Sequence, residues 1–146
     1  MVVNGLRLPD GFVMAITSGT LQKAWQLKEN IDAYGNHLET DLGDIYEDEE
    51  SIARETQAVA SGFPADSPMV EASQEEKRQP GYIPYVTDFS KILCFAASGS
   101  GEDFCFDYRD GAEEPSVIYW DDTYWRRLSP DFAGFFALFD LTQQRG

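Results

Sequence analysis

A β-meander covered by helices is the fold that the sequence predicts, and three observations predict it. Two short apolar runs, Ile92–Ala96 and Phe104–Phe106, flank Ser98-Gly99-Ser100-Gly101, a turn of residues that tolerate positive φ, which is the pattern of a β-hairpin. A third β-branched and aromatic run, Val117–Trp120, follows a connection bracketed by Gly111 and Pro115. Beyond it, Phe132, Phe135, Phe136 and Phe139 recur at helical spacing with Leu138 and Leu141, a broad apolar stripe to lay across the sheet.

Taken in order, Leu8-Pro9 opens a first short helix, with Phe12, Ile16 and Leu21 available to face inward as a lid on the sheet. Trp25-Gln26-Leu27 reads as a strand. Leu38 to Tyr46 alternates weakly between apolar and acidic residues and reads as an edge strand or an extended loop. Acids before Ile52 and a glycine stop at Gly62 frame a helix whose inner face is Ile52, Thr56 and Val59. Phe63 to Tyr82, with Pro64, Pro68 and Pro80, is the longest irregular segment, holding at most a helical turn within Ser67–Lys77. Tyr82 to Val86 re-enters the core. At the far end, Ser129 is the expected N-cap of the aromatic helix, with Pro130 at its first position and Asp131 in its first turn.

The 146 residues suffice for one domain, 1–146, with a core that needs no staples. Of the 20 aromatic residues, 13 lie from Phe89 onward, so the core is weighted toward the C-terminal half. No apolar run approaches the roughly 20 residues that span a bilayer, and the N-terminus lacks the marks of a signal peptide. A cytoplasmic protein is expected. Its formal charge of −15 argues against direct binding to nucleic acid or to an anionic membrane, and suits docking on a basic partner as well as plain solubility. Cys94 and Cys105 lie symmetrically about the hairpin turn. They are expected to be opposite one another, as buried thiols rather than a disulfide.

Several chemistries are excluded. The Ser-Gly-Ser-Gly turn is followed by Glu102-Asp103 and a strand, where a phosphate loop needs a lysine and a helix N-terminus. Asp44 to Glu50 lacks the glycine and the ligand spacing of a calcium loop. With no CxxC and one histidine, His37, no metal site and no cofactor are expected. Adjacent carboxylates in a strand point to opposite faces, which leaves only a cross-strand pair such as Asp107 with Asp121 for acid–base work. No catalytic residue is assigned.

Clustering is what stands out. Between Glu102 and Asp122 there are eight acids and one base, Arg109, interleaved with aromatics. Glu102, Asp103, Asp107, Trp120, Asp121, Asp122, Tyr124 and Trp125 are therefore the candidate partner-binding residues: charge sets the rate of encounter and the aromatics supply affinity. The competing reading makes the aromatics core and the acids a solvated rim. Reversing Glu102, Asp103, Asp121 and Asp122 to lysine separates the two, because only the first loses binding with the fold intact.

One family resemblance is specific. Ile92-Leu93-Cys94-Phe95, then Ser98 through Tyr108, Glu114-Pro115-Ser116-Val117-Ile118-Tyr119-Trp120-Asp121-Asp122, and Tyr124 through Phe135 resemble the SMI/KNR family of the SUKH superfamily. The Leu8-Pro9 helix start agrees. The likeness covers Tyr82 to Leu141 well; Thr17-Ser18-Gly19-Thr20 stands where the family has Asn-Gly-Gly. The resemblance implies an α+β fold, a twisted and mainly antiparallel sheet packed by helices, with no enzymatic activity. Bacterial members resemble immunity proteins that bind and neutralise polymorphic toxins, so the implied partner is a basic toxin domain. A regulatory adaptor for an endogenous partner is the alternative, and a carboxylate-based hydrolase a distant third.

Overall fold

A computed structural model describes residues 1–19, 23–62, 73–83, 86, 88–111, 114–120 and 125–144, with the backbone alone at 23–25, 76 and 141–144. In chain order the elements are β1 (Val2–Val3), β2 (Leu6–Arg7), α1 (Asp10–Thr17), β3 (Lys23–Leu27), β4 (Asp44–Ile45), α2 (Glu49–Gly62) and α3 (Gln74–Lys77). A 3-10 turn, Phe89–Lys91, leads into β5 (Ile92–Ala97), β6 (Asp103–Asp107), β7 (Ser116–Trp120), β8 (Trp125–Ser129), α4 (Phe132–Phe136) and β9 (Phe139–Gln144). The main sheet is antiparallel throughout, in the order β4-β5-β6-β7-β8. β1-β2 and β3-β9 form two separate two-stranded sheets. The fold is α+β.

The hairpin forms where the sequence places it, closed by hydrogen bonds from Ser98 N to Glu102 O (2.9 Å) and from Gly101 N to Ser98 O (3.0 Å). Strand alternation then divides the side chains. On one face, Leu93, Phe95, Phe104, Phe106, Val117, Tyr119 and Leu128 join Phe12 of α1 and Phe132 and Phe135 of α4 in one core cluster. Phe12 is fully buried and meets Phe95, Phe106 and Phe132 edge to face at 5.3–5.6 Å. Each such ring contributes about 1.5–3 kcal/mol by leaving water. On the other face, Ile92, Cys94, Cys105, Ile118 and Trp125 form a second cluster with Val59, Ile83 and Val86.

Helix α2 belongs to neither face alone. Its stripe is the expected Ile52, Thr56 and Val59, but Ile52 joins the first cluster and Val59 the second. The helix runs along the edge of β5 beyond the two residues that β4 covers. Thr56 sits at the crossing: its hydroxyl donates to Ile52 O (2.6 Å) and accepts from Cys94 N (2.9 Å). A helix side chain thus occupies the edge that another β-strand would otherwise seek. At the opposite edge, Tyr82 bridges to Arg126 and Arg127 N donates to Gly81 O at 2.8 Å.

The C-terminal reading needs correction. Ser129 ends β8, fully buried, and its hydroxyl donates to Asp131 O (2.6 Å). Asp131 is the N-cap, accepting from Gly134 N at 2.7 Å. The helix lasts five residues. Phe139 and Leu141 belong instead to β9, whose backbone pairs with Leu27 and Trp25 of β3. Phe132, Phe135 and Phe139 still converge on one cluster, so the apolar stripe is core, delivered by a helix and then a strand. Leu21, expected to face inward from the first helix, lies outside the described residues.

Candidate functional site

The hairpin's turn end meets the acidic segment that precedes α2. Backbone and carboxylate contacts make the join: Gly43 N donates to Ala97 O (2.9 Å), Gly99 N to Asp41 Oδ1 (2.9 Å), and Asp44 pairs with Ala97. The approach is close enough to require glycine, because a Cβ on Gly43 would stand 2.8 Å from Gly99 N. Two acidic stretches far apart in sequence, 39–55 and 102–103, thereby share one end of the sheet. Residues 39–50 carry seven acids and no base, but none of them is among the sequence-predicted site residues; their meeting with the hairpin is long-range and had no local signal.

Tyr46 marks where they converge. Burial pushes its phenol up, and the charges of Cys94, Glu55, Asp103 and Asp44 push the same way. Asp103, half-buried, is raised from 3.8 to about 6 chiefly by burial. The Cys94 thiol, donating to Asp103 Oδ1 at 3.8 Å, offsets part of this, and Glu55 adds to it. Glu102 is tied to the turn: its backbone N donates to Ser98 Oγ (3.0 Å), and Ser98 Oγ donates to its carboxylate. Glu102, Asp103 and Trp120 are all part-exposed near this end, with Trp120 5.5 Å from Trp125.

Two candidates leave the surface. Asp107 is 3% exposed, and the Arg109 guanidinium grips it through Nε to Oδ1 (3.0 Å) and Nη2 to Oδ2 (2.9 Å). Trp125 is 1% exposed, because β8 turns its ring into the second cluster. Asp121, Asp122 and Tyr124 lie outside the described residues. The sequence also gave no sign of the buried Asp32, which Arg126 neutralises and which accepts from Tyr34 N (2.8 Å) and Asn36 N (3.1 Å).

Acid–base chemistry finds no ready pair among the described residues. Asp107 lies opposite Ser116, at the other end of β7 from residue 121. A cleft of about 210 Å³ brings Asp107, Asp110 and Glu114 together, but Asp107 is held by Arg109 and Asp110 by Arg127 Nη2 (2.8 Å). No group of three His, Cys, Asp or Glu among them is placed to hold a metal ion. Near the acidic end the chemistry available is recognition: negative charge beside part-exposed aromatic rings. An apolar groove of about 390 Å³ between α1 and α4, with Met14 70% exposed on its wall, is uncharged by contrast.

The chain's kinship is decided by one match. A model of the SMI1 / KNR4 family (SUKH-1) covers residues 5–138. The chain belongs to that family. The match begins at the β1-β2 turn and ends just before β9, so it takes in the main sheet, α1, α2 and α4, well beyond the C-terminal half that carried the sequence likeness. No curated protein and no solved structure matches the chain significantly. No described helix is long and apolar enough to cross a membrane.

Proposed function

We propose that this SUKH-1 domain is a non-enzymatic binding module of the cytoplasm, an immunity protein that docks on and neutralises a basic toxin domain. The observation that carries the reading is the convergence of Asp44, Glu55 and Asp103 around Tyr46, with Glu102 beside Asp103 in the adjoining turn, within a chain of net charge −15. Such a surface attracts a cationic cleft over a Debye length and repels nucleic acid, the substrate such a cleft would otherwise hold. The proposed contact set is Asp44, Glu55, Glu102, Asp103 and Trp120, together with Asp121, Asp122 and Tyr124, which follow Trp120 in sequence. Asp107 and Trp125 are left out because they are buried.

The test is capture and inhibition. The purified protein is incubated with the toxin domain encoded beside its gene, and both complex formation and toxin activity are followed. A stable complex with lost activity supports the reading. An adjacent toxin that is neither bound nor inhibited overturns it. Recovery of an endogenous partner alone would assign the domain to the adaptor class.

A further inference from the structure

We propose that Cys94 and Cys105 are a reversible oxidation site, two thiols that a peroxide converts to a cross-strand disulfide across the central hairpin. Both are free and fully buried, and they are partners in the β5–β6 register. They share a face, since both sit in the cluster with Ile118 and Val59. The ladder's phase settles how close they stand. Tyr108 N donates to Lys91 O (2.8 Å), so Lys91 and Tyr108 are a hydrogen-bonded pair. Counting inward, Ile92 with Asp107 is non-hydrogen-bonded, Leu93 with Phe106 bonded, and Cys94 with Cys105 non-hydrogen-bonded. Cys94 N agrees: it points away from β6 and donates to Thr56 Oγ1 (2.9 Å). Opposed residues of that kind have Cα atoms about 4.5 Å apart and their side chains drawn together. The spacing is at the short end of what a disulfide tolerates.

The surroundings give the two sulfurs different roles. The Cys94 thiol donates to the carboxylate of Asp103 at 3.8 Å, a half-buried group through which solvent is one side chain away. Cys105 is equally buried, and burial and the neighbouring Cys94 push its thiol well up. Cys94, with the part-exposed Asp103 carboxylate beside it to take its proton, is assigned as the attacking sulfur and Cys105 as the resolving one. Cys94 passes its proton to Asp103 and attacks one peroxide oxygen; an S–O bond forms, the O–O bond breaks, and the leaving hydroxide takes the proton from Asp103 as water. The Cys105 sulfur then displaces hydroxide from Cys94: the S–S bond forms, the S–O bond breaks, and the hydroxide leaves with the Cys105 proton as a second water. Two electrons pass from the sulfurs to the peroxide. The inference is independent of any partner.

The experiment uses the reduced full-length chain with hydrogen peroxide, read by intact mass, thiol titration and a non-reducing peptide map. The native chain should lose two hydrogens and both titratable thiols, yield a linked Cys94–Cys105 peptide, and recover on adding dithiothreitol. The Cys105→Ala variant should accumulate a sulfenic acid on Cys94 that dimedone traps. The Cys94→Ala and Asp103→Asn variants should react at least about tenfold more slowly. Circular dichroism confirms that each variant is folded, and the native-chain arm stands if one is not. Retention of both thiols in the folded native chain, sulfinic acid on Cys94 without a crosslink, or a disulfide formed only between chains would each overturn the proposal.

Discussion

Replacing Thr56 with valine should cost about 1–3 kcal/mol, a large effect for the loss of one oxygen atom. The two side chains have nearly the same shape, so packing against Ile52 and Val59 is preserved. What disappears is the acceptor for Cys94 N, 2.9 Å away in the native chain and fully buried. A lost hydrogen bond alone costs about 1 kcal/mol; a buried donor left with no partner raises the cost toward the top of that range. The other bond of the hydroxyl, to Ile52 O at 2.6 Å, adds little, because that carbonyl remains an intrahelical acceptor. Urea denaturation measures the change, with the midpoint falling at unchanged slope. Hydrogen exchange localises it, since the Cys94 amide should lose protection before its neighbours in β5. The Thr56→Ser variant keeps the oxygen and should recover most of the stability. If valine and serine behave alike, or if valine costs under about 0.5 kcal/mol, α2 does not seal the edge of β5 through this hydroxyl.

Two further outcomes concern stability. Asp103 is raised from 3.8 to about 6 in the fold, so the native state holds its proton more tightly than the unfolded chain. Its contribution is complete below about pH 4 and is lost as pH rises through about 6; Asp103→Asn should flatten that decline in a pH series of melts and stabilise the protein above it. Gly81→Ala should destabilise by more than about 1 kcal/mol in the same melts, because φ is +87° and a Cβ would stand 2.8 Å from Arg127 O; a neutral result would mean that the segment beside β8 is free to move aside.

How much of this was legible follows from the range of each signal. The hairpin was readable because its turn residues and both apolar runs lie within 16 consecutive positions, 92–107, and the Cys94–Cys105 pairing followed from symmetry about the turn. The α2 stripe was readable because Ile52, Thr56 and Val59 are spaced by the helix itself. The end of α4 was not. Phe139 fits both a helical stripe and a strand, and the choice is made by β3, more than a hundred residues earlier. Strand β8 was hidden by Arg126 and Arg127, charges a strand tolerates here because Asp32 and Asp110 neutralise them. In the candidate site, clustering singled out Asp103 and Asp107 alike but gave no sign that Arg109 grips Asp107 and removes it. Acid clustering pointed to residues 102–122, and only tertiary contact showed that Asp41 and Asp44 adjoin the same hairpin.

In the proposed function, the acidic end of the sheet recognises a basic protein. The most direct test is the association rate of the captured toxin domain with a variant carrying Asp44→Lys, Glu55→Lys and Glu102→Lys, measured at low and high salt. Met14→Glu, on the groove between α1 and α4, is the control. The expected result is an intact fold, an association rate lowered at least about tenfold, a weakened salt dependence, and native binding by the control. Unchanged association by the triple variant, or binding abolished by Met14→Glu alone, would contradict it.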